Sequence, residues 1–175
     1  MNFHNITTDD MLNGDGLRTV LWVSGCSHHC DQCQNPITWN PNDGVPFDEC
    51  AKKELFEKLK PDYISGLTLS GGDPLYETNV LPIHDLIMEV QNEFPGKTIW
   101  LYSGYTLEML EKRKNLSEID RLRYDTVCKV DVFCDGKYIS QMKSINYPWV
   151  GSTNQHVIDI PETLKRGFMV LHKSV

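Results

Sequence analysis

Short blocks of apolar and β-branched residues recur along this chain, and each block ends in glycine or another turn residue. Such blocks predict buried β-strands. Four of them lie at residues 17–25, 64–72, 95–104 and 126–136. Two weaker extended pieces are predicted near the end of the chain, at 155–160 and 167–172.

Between the strands, apolar residues recur every three or four positions, which is the spacing of an amphipathic helix. This pattern predicts helices at 48–60, 82–94 and 106–114. Asp48 and Thr106 stand at the starts of the first and third helices, where their side-chain oxygens can accept hydrogen bonds from free backbone N–H groups. Strands that alternate with helices favour a parallel sheet with helical crossovers, so the sequence predicts an α/β fold.

The composition is that of an ordinary globular protein, and it predicts a single domain over residues 1–175. The net charge is −7 and no strong basic cluster is present, so nucleic-acid binding is not expected. No apolar run reaches the roughly 18 residues of a membrane span, and the N-terminus lacks the pattern of a signal peptide. We therefore expect a cytoplasmic protein with reduced thiols and no membrane partner.

Three cysteines, Cys26, Cys30 and Cys33, lie within eight residues immediately after the first predicted strand. In a reducing compartment, clustered thiols indicate metal or redox chemistry rather than a disulfide framework. A structural zinc site needs four ligands, and a 4Fe–4S cluster normally takes four thiolates. Three thiolates could hold three irons of such a cluster and leave the fourth iron open to an outside ligand.

Two other chemistries stay open for this cysteine loop. A zinc ion could take its fourth ligand from His28, His29, Cys128 or Cys134, and a redox dithiol could use the last two cysteines of the loop. Both histidines are otherwise interpreted as residues that only fill the loop. The three cysteines outside it, Cys50, Cys128 and Cys134, are interpreted as buried structural thiols.

The motifs at the strand ends resemble those of a known superfamily. CSHHCDQC at 26–33 matches the CxxxCxxC signature of the radical S-adenosylmethionine enzymes, and SGGDP at 70–74 resembles their Gly-Gly-acidic-Pro motif. Within that superfamily, the chain resembles the activating proteins of anaerobic ribonucleotide reductases over about residues 3–160. The segments that carry this resemblance, in order, are NGDGLRTVLWVSGCSHHCDQCQNPITW, LSGGDPL, IWLYSGYT, VDVFCDGKY and GSTNQHVID.

The resemblance implies a partial, open (β/α) barrel of the radical S-adenosylmethionine type. It also implies a 4Fe–4S cluster and S-adenosylmethionine as cofactors, with reductive cleavage of the latter and formation of a glycyl radical. The implied protein substrate is an anaerobic ribonucleoside-triphosphate reductase, and the implied electron donor is a flavodoxin or a thioredoxin-type reductant. The alternatives are an activase of the pyruvate formate-lyase type, a radical enzyme for small molecules, and a non-catalytic zinc-binding module.

Carried over by position, the resemblance implies that the three clustered cysteines are the cluster ligands. The implied contacts of S-adenosylmethionine comprise Gln32, Cys33 and Gln34 at the adenine, Ser70, Gly71, Gly72 and Asp73 at the methionine end, Ser103 and Gly104 at the ribose or methionine, and Asp135 and Lys137 near the carboxylate or a cation. Three positions depart from the family pattern. Asp15 stands where proline is common, Gln32 where an aromatic residue is common, and Val150 where arginine is common.

Overall fold

Seven strands form one sheet in the computed structural model, which describes residues 1–173. They are β1 (Asn2–Asp10), β2 (Leu17–Val23), β3 (Val45–Pro46), β4 (Ile64–Gly71), β5 (Thr98–Tyr102), β6 (Val132–Asp135) and β7 (His156–Asp159), in the order β3-β1-β2-β4-β5-β6-β7. The central strands β2, β4, β5 and β6 are parallel, whereas β1, β3 and β7 pair antiparallel with their neighbours. Over the described residues the sheet is mixed and not closed into a barrel, and the predicted α/β class is confirmed.

Within the same part of the chain, the α-helices are α1 (Glu49–Leu59), α2 (Val80–Glu93), α3 (Leu107–Arg113), α4 (Glu118–Val127) and α5 (Ile160–Arg166). Both predicted caps are confirmed, since the side chains of Asp48 and Thr106 each accept a hydrogen bond from the backbone N–H three residues on. The second helix begins two residues before its predicted start, because the turn at Tyr76 runs directly into it. None of the helices formed by residues 1–173 combines the length and the hydrophobicity that crossing a lipid bilayer requires.

Two predicted extended segments differ from the structure. The first half of 126–136 is the end of α4 and a short turn, so only its second half forms β6. Ser117 caps α4 by accepting a hydrogen bond from the N–H of Asp120, a local signal that the apolar pattern concealed. The piece at 167–172 makes one isolated bridge to β7 through Leu171 rather than a strand.

The N-terminal strand β1 was not predicted from the pattern of its residues. It reads NFHNITTDD, and of its side chains only Phe3 and Ile6 are buried. The strand is held instead by antiparallel pairing with β2 on one side and with the two-residue strand β3 on the other. Backbone pairing to a buried neighbour can therefore fix a strand that has little apolar alternation of its own.

The two faces of the sheet carry different clusters of side chains. On one face, strand residues such as Leu69, Leu101 and Phe133 pack with buried residues of all five described helices to form the main core. On the other face, Trp100 and Cys134 belong to a smaller cluster that includes no helix residue. The helices thus cover one side of the sheet and leave the other side to the smaller cluster and to the cavity described below.

Arg18, at the start of β2, lies fully buried among the strands. Its guanidinium donates five hydrogen bonds, to the hydroxyls of Thr68 and Thr98 and to the carbonyls of Asp15, Leu67 and Thr98, at 2.7–3.1 Å. Burial lowers the pKa of Arg18 to about 10, so the group remains charged at neutral pH. The five bonds offset the cost of burying this charge and tie the loop before β2 to β4 and β5.

Replacing Arg18 by methionine is expected to destabilise the protein by about 3 kcal/mol, because several buried acceptors lose their donor at once. Chemical denaturation followed by circular dichroism measures this change in the free energy of unfolding. Arg166→Met is the matched control, since Arg166 lies on the surface of α5, where it pairs with Glu162. Equal unfolding midpoints for the two variants would contradict the anchoring role of Arg18.

Candidate functional site

Residues at the carboxyl ends of β2, β4, β5 and β6 line one cavity of about 610 Å³. This volume lies within the range of roughly 300–1,000 Å³ that is usual for small-molecule sites. Most of the predicted site residues line it together, namely Cys26, Cys30, Cys33, Gln34, Ser70, Gly71, Gly72, Ser103, Gly104 and Lys137. The structure therefore brings the cysteine loop (residues 24–35) and the glycine segment (residues 70–74) to the same cavity.

Three predicted contact residues lie outside the lining. Gln32 is exposed on the cysteine loop, where its backbone is left-handed with φ of 57°. Asp73 and Asp135 are buried beneath the cavity rather than facing it. Their carboxylates are engaged by groups of the chain itself, so the structure does not present them for direct contact with a ligand.

The cysteine loop packs closely on the glycine segment. It also packs on the turn at Thr38 and Trp39, which follows the cysteine loop in the chain. The N–H groups of Gly25 and Cys26 donate to the carbonyls of Thr38 and Trp39, at 2.8 and 3.0 Å. The N–H of Asp73 donates to the carbonyl of Gly25 at 2.8 Å. A β-carbon on Gly72 would lie 2.5 Å from that same carbonyl oxygen. The second glycine of the motif therefore makes room for the chain's own backbone, in addition to any ligand.

Burial disfavours the charged thiolate form of two cysteines in the loop. Burial raises the pKa of Cys26 to about 11 and also raises that of Cys30. A metal centre that binds them as thiolates has to displace their protons. The backbone N–H of Asn35 donates to the sulfur of Cys33 at 3.4 Å. Among residues 1–173, no group of three or more Cys, His, Asp or Glu side chains is arranged to hold a single metal ion.

The three other cysteines differ in exposure. Cys134 is buried on β6, as predicted. Cys50 is exposed on α1, so its interpretation as a buried thiol was wrong, and Cys128 is part-exposed at the end of α4 rather than on a strand. Cys134 also lines the cavity beside Tyr102, and burial raises the pKa of both groups well above the usual range. Both side chains therefore stay protonated at neutral pH.

Asp73 is the centre of a buried hydrogen-bond network. One carboxylate oxygen accepts from the N–H of Leu75 at 2.8 Å. The other lies 2.5 Å from Nε2 of His28 and accepts from the hydroxyl of Ser103 at 3.1 Å. The interpretation of His28 as a residue that only fills the loop was wrong, because its imidazole joins the cysteine loop to the glycine segment.

Asp135 anchors a second network at the end of β6. Its carboxylate accepts from the N–H of Leu107 at 2.9 Å and from the N–H and Nδ1 of His156 at 3.1 and 2.9 Å. It thereby fixes the start of α3 and the first residue of β7. Lys137, two residues later, does line the cavity, and its Nζ donates to the carbonyl of His28 at 3.2 Å.

Aromatic side chains form part of the cavity that sequence reasoning did not assign to it. Trp22, Trp39, Tyr102 and Trp149 all line it. The signal was present in β5, where IWLY alternates between the two faces of the sheet and Tyr102 points away from the core face. For Trp149 no local pattern gives the assignment, since it lies in an irregular loop with φ of 68°.

The part of the chain that builds this cavity matches a known protein family. Residues 12–158 match the family model described as a 4Fe-4S single cluster domain. The anaerobic ribonucleoside-triphosphate reductase-activating protein of Enterobacteria phage T4 is 41% identical over 157 residues, which cover 90% of this chain and 93% of that protein. The chain belongs to this activating-protein family.

Two further members of the activating-protein family show the same extent of similarity. The protein of the same name from Escherichia coli K12 is 37% identical over 90% of this chain and 97% of its own length. That from Haemophilus influenzae is 38% identical over 89% of this chain and 96% of its own length. The match to the 4Fe-4S single cluster domain, over residues 12–158, includes the cysteine loop, the glycine segment and the loops after β5 and β6.

Proposed function

We propose that this chain binds a 4Fe–4S cluster, cleaves S-adenosylmethionine reductively and generates a glycyl radical on an anaerobic ribonucleoside-triphosphate reductase. The observation that carries the proposal is the shared cavity, which Cys26, Cys30 and Cys33 line together with the glycine segment at the carboxyl ends of parallel strands. The names of the relatives support the choice of reductase as the protein substrate.

The donor set of the cavity fits the proposed cluster. Cys26, Cys30 and Cys33 would each hold one iron and leave the fourth open. The bound cluster supplies a single electron for cleavage of the sulfonium bond, while the protein supplies binding and orientation. Cys134 lines the same cavity, but it is buried on β6, outside the cysteine loop that carries the other three thiols, so we do not assign it as a fourth ligand.

The remaining lining residues suit a zwitterionic nucleoside such as S-adenosylmethionine. Gly71 and Gly72 would offer backbone groups to its methionine end, together with the hydroxyl of Ser70. Lys137 places a cation at the cavity for its carboxylate. Gln34 would meet the adenine. Gln32, Asp73 and Asp135 do not line the cavity, and the two carboxylates act on the site by holding its loops.

The open sheet suits a protein substrate. We propose that it is a partial (β/α) barrel of the radical S-adenosylmethionine type, built as a single domain over residues 1–175. Its last two residues lie outside the described part of the chain. A glycine-bearing segment of the reductase would enter through the open side, and its surface would shield the radical from water. A flavodoxin or a thioredoxin-type reductant in the cytoplasm would supply the electron.

One anaerobic experiment tests the proposal. The protein is reconstituted with iron and sulfide, reduced, and mixed with S-adenosylmethionine, and 5′-deoxyadenosine is measured together with the electron paramagnetic resonance spectrum. We expect cleavage and a spectrum that changes when the cofactor is added. Addition of an anaerobic ribonucleotide reductase should then produce a glycyl radical signal, and a pyruvate formate-lyase should not.

Three results would overturn parts of this proposal. A colourless protein with one zinc ion per chain would identify a structural zinc module. If the protein cleaves the cofactor but forms a glycyl radical only on pyruvate formate-lyase, the proposed chemistry stands and the proposed protein substrate is wrong. Cleavage that yields a radical on neither protein, but consumes a small molecule, would indicate a radical enzyme of a different class.

A further inference from the structure

The imidazole of His28 occupies a site built from the loops of two other strands. Its Nε2 lies 2.5 Å from a carboxylate oxygen of Asp73, and the side chains of both residues are at most 8% exposed. The ring of Tyr105 meets it edge-on, with 4.8 Å between the ring centres. Gly104 lies directly against the imidazole, and a β-carbon on this glycine would collide with it. The close fit indicates that the imidazole makes specific contacts and is not buried merely by chance.

The neighbouring histidine provides a contrast within the same loop. His29 is exposed and stacks on the ring of Trp39, with 4.8 Å between ring centres. No hydrogen bond joins its side chain to the glycine segment among the described residues. The two adjacent histidines therefore have different surroundings, and of the two it is His28 whose side chain bonds to the glycine segment.

We propose that His28 is a positioning residue that couples the cysteine loop to the glycine segment through Asp73. This inference rests on the proposed function. Asp73 follows Gly72 directly, and its carboxylate holds both the imidazole and the hydroxyl of Ser103. The lining atoms of the glycine segment and of Ser103 are thereby fixed relative to the cysteines.

The coupling has a direct chemical consequence. In the proposed reaction, S-adenosylmethionine would bind the open iron of a cluster held by the cysteine loop, while the glycine segment would hold its methionine end. A shift of about 1 Å between the two halves can lower a rate roughly a hundredfold. Lys137 adds a second link, because its Nζ donates to the backbone carbonyl of His28. The imidazole thus adds a side-chain link to the backbone hydrogen bond from the N–H of Asp73 to the carbonyl of Gly25, which joins the same two segments.

Three variants of the full-length, reconstituted protein test this role. In His28→Asn, the asparagine side chain is too short to reach Asp73. In His28→Gln, the longer side chain can place an amide donor near the position of Nε2. His29→Asn makes the same change one residue away, and asparagine tolerates the left-handed backbone found there. For each protein we would measure iron content, the dissociation constant of S-adenosylmethionine by calorimetry, and the change in the electron paramagnetic resonance spectrum on cofactor addition.

We expect His28→Asn to weaken cofactor binding about 10- to 100-fold, as is usual when a group that orients metal ligands is lost, and to reduce the spectral change. His28→Gln should recover most of both, and His29→Asn should match the wild type. If His28→Asn takes up no iron, recovery of iron by His28→Gln carries the same conclusion.

Two results would overturn the inference while leaving the proposed function intact. One is that His28→Asn has the same dissociation constant for S-adenosylmethionine and the same electron paramagnetic resonance spectrum as the wild type. The other is equal loss in all three variants, which would mean that any change in the loop disturbs it. Failure of the wild-type protein itself to assemble a cluster or to bind S-adenosylmethionine would instead overturn the proposed function.

Discussion

Replacing Cys30 by alanine is expected to give a folded protein that assembles no 4Fe–4S cluster and produces no 5′-deoxyadenosine. Alanine removes one of three thiols, and a cluster held by the other two would have two irons without a protein ligand. Cys26→Ala and Cys33→Ala should have the same effect, because these cysteines line the same cavity. Iron and sulfide analysis, the visible absorption spectrum and the cleavage assay measure the loss.

Two cysteines outside the loop serve as controls for this prediction. Cys50 is exposed on α1 and does not line the cavity, so Cys50→Ala should leave iron content and cleavage unchanged. Cys134→Ala is the stricter control, because this thiol does line the cavity. It lies on β6, outside the cysteine loop, and we expect its variant to retain the cluster. Loss of iron in Cys134→Ala equal to that in Cys30→Ala would assign a fourth protein ligand and contradict the open-iron proposal.

The sequence predicted those parts of the fold whose signals are local. The structure contains the predicted helix caps at Asp48 and Thr106 and the strands β2, β4 and β5. Each of these features depends on residues that are close together in the sequence. The cavity was also predictable, because motifs that follow successive parallel strands must meet at one edge of the sheet. For this reason the cysteine loop and the glycine segment come together although about 40 residues separate them.

The sequence did not predict contacts that depend on the packed arrangement of distant loops. The residues around His28 and Asp73 do not indicate that these two side chains, 45 positions apart, form a hydrogen bond. The same holds for Asp135, whose carboxylate fixes α3 and β7 rather than facing the cavity. Polar residues next to a ligand motif read equally well as ligand contacts or as supports for the loops that carry those contacts. Whether the side chain is buried distinguishes these two roles, and burial is known only once the fold is known.

Gly72→Val is expected to lower both the iron content and the affinity for S-adenosylmethionine, the latter by roughly a hundredfold. A side chain at this position meets the carbonyl oxygens of Gly25 and Thr38, at 2.5 and 2.9 Å from its β-carbon. These are backbone atoms of the cysteine loop and of the turn behind it, which cannot rotate out of the way as a side chain can. The glycine segment and the cysteine loop must therefore separate, so the variant should affect cluster and cofactor together.

Gly96→Val is the matched control for this change, because within residues 1–173 no heavy atom beyond its own chain neighbours lies within 4 Å of a β-carbon on Gly96. It lies in the turn before β5, and its variant should assemble the cluster and bind the cofactor like the wild type. A Gly72→Val protein with full iron content and weakened cofactor binding would show that the two halves of the cavity can separate without loss of the cluster. In that case the close packing at Gly72 serves the cofactor alone, and the cysteine loop is held by its contacts with Asp73 and Trp39.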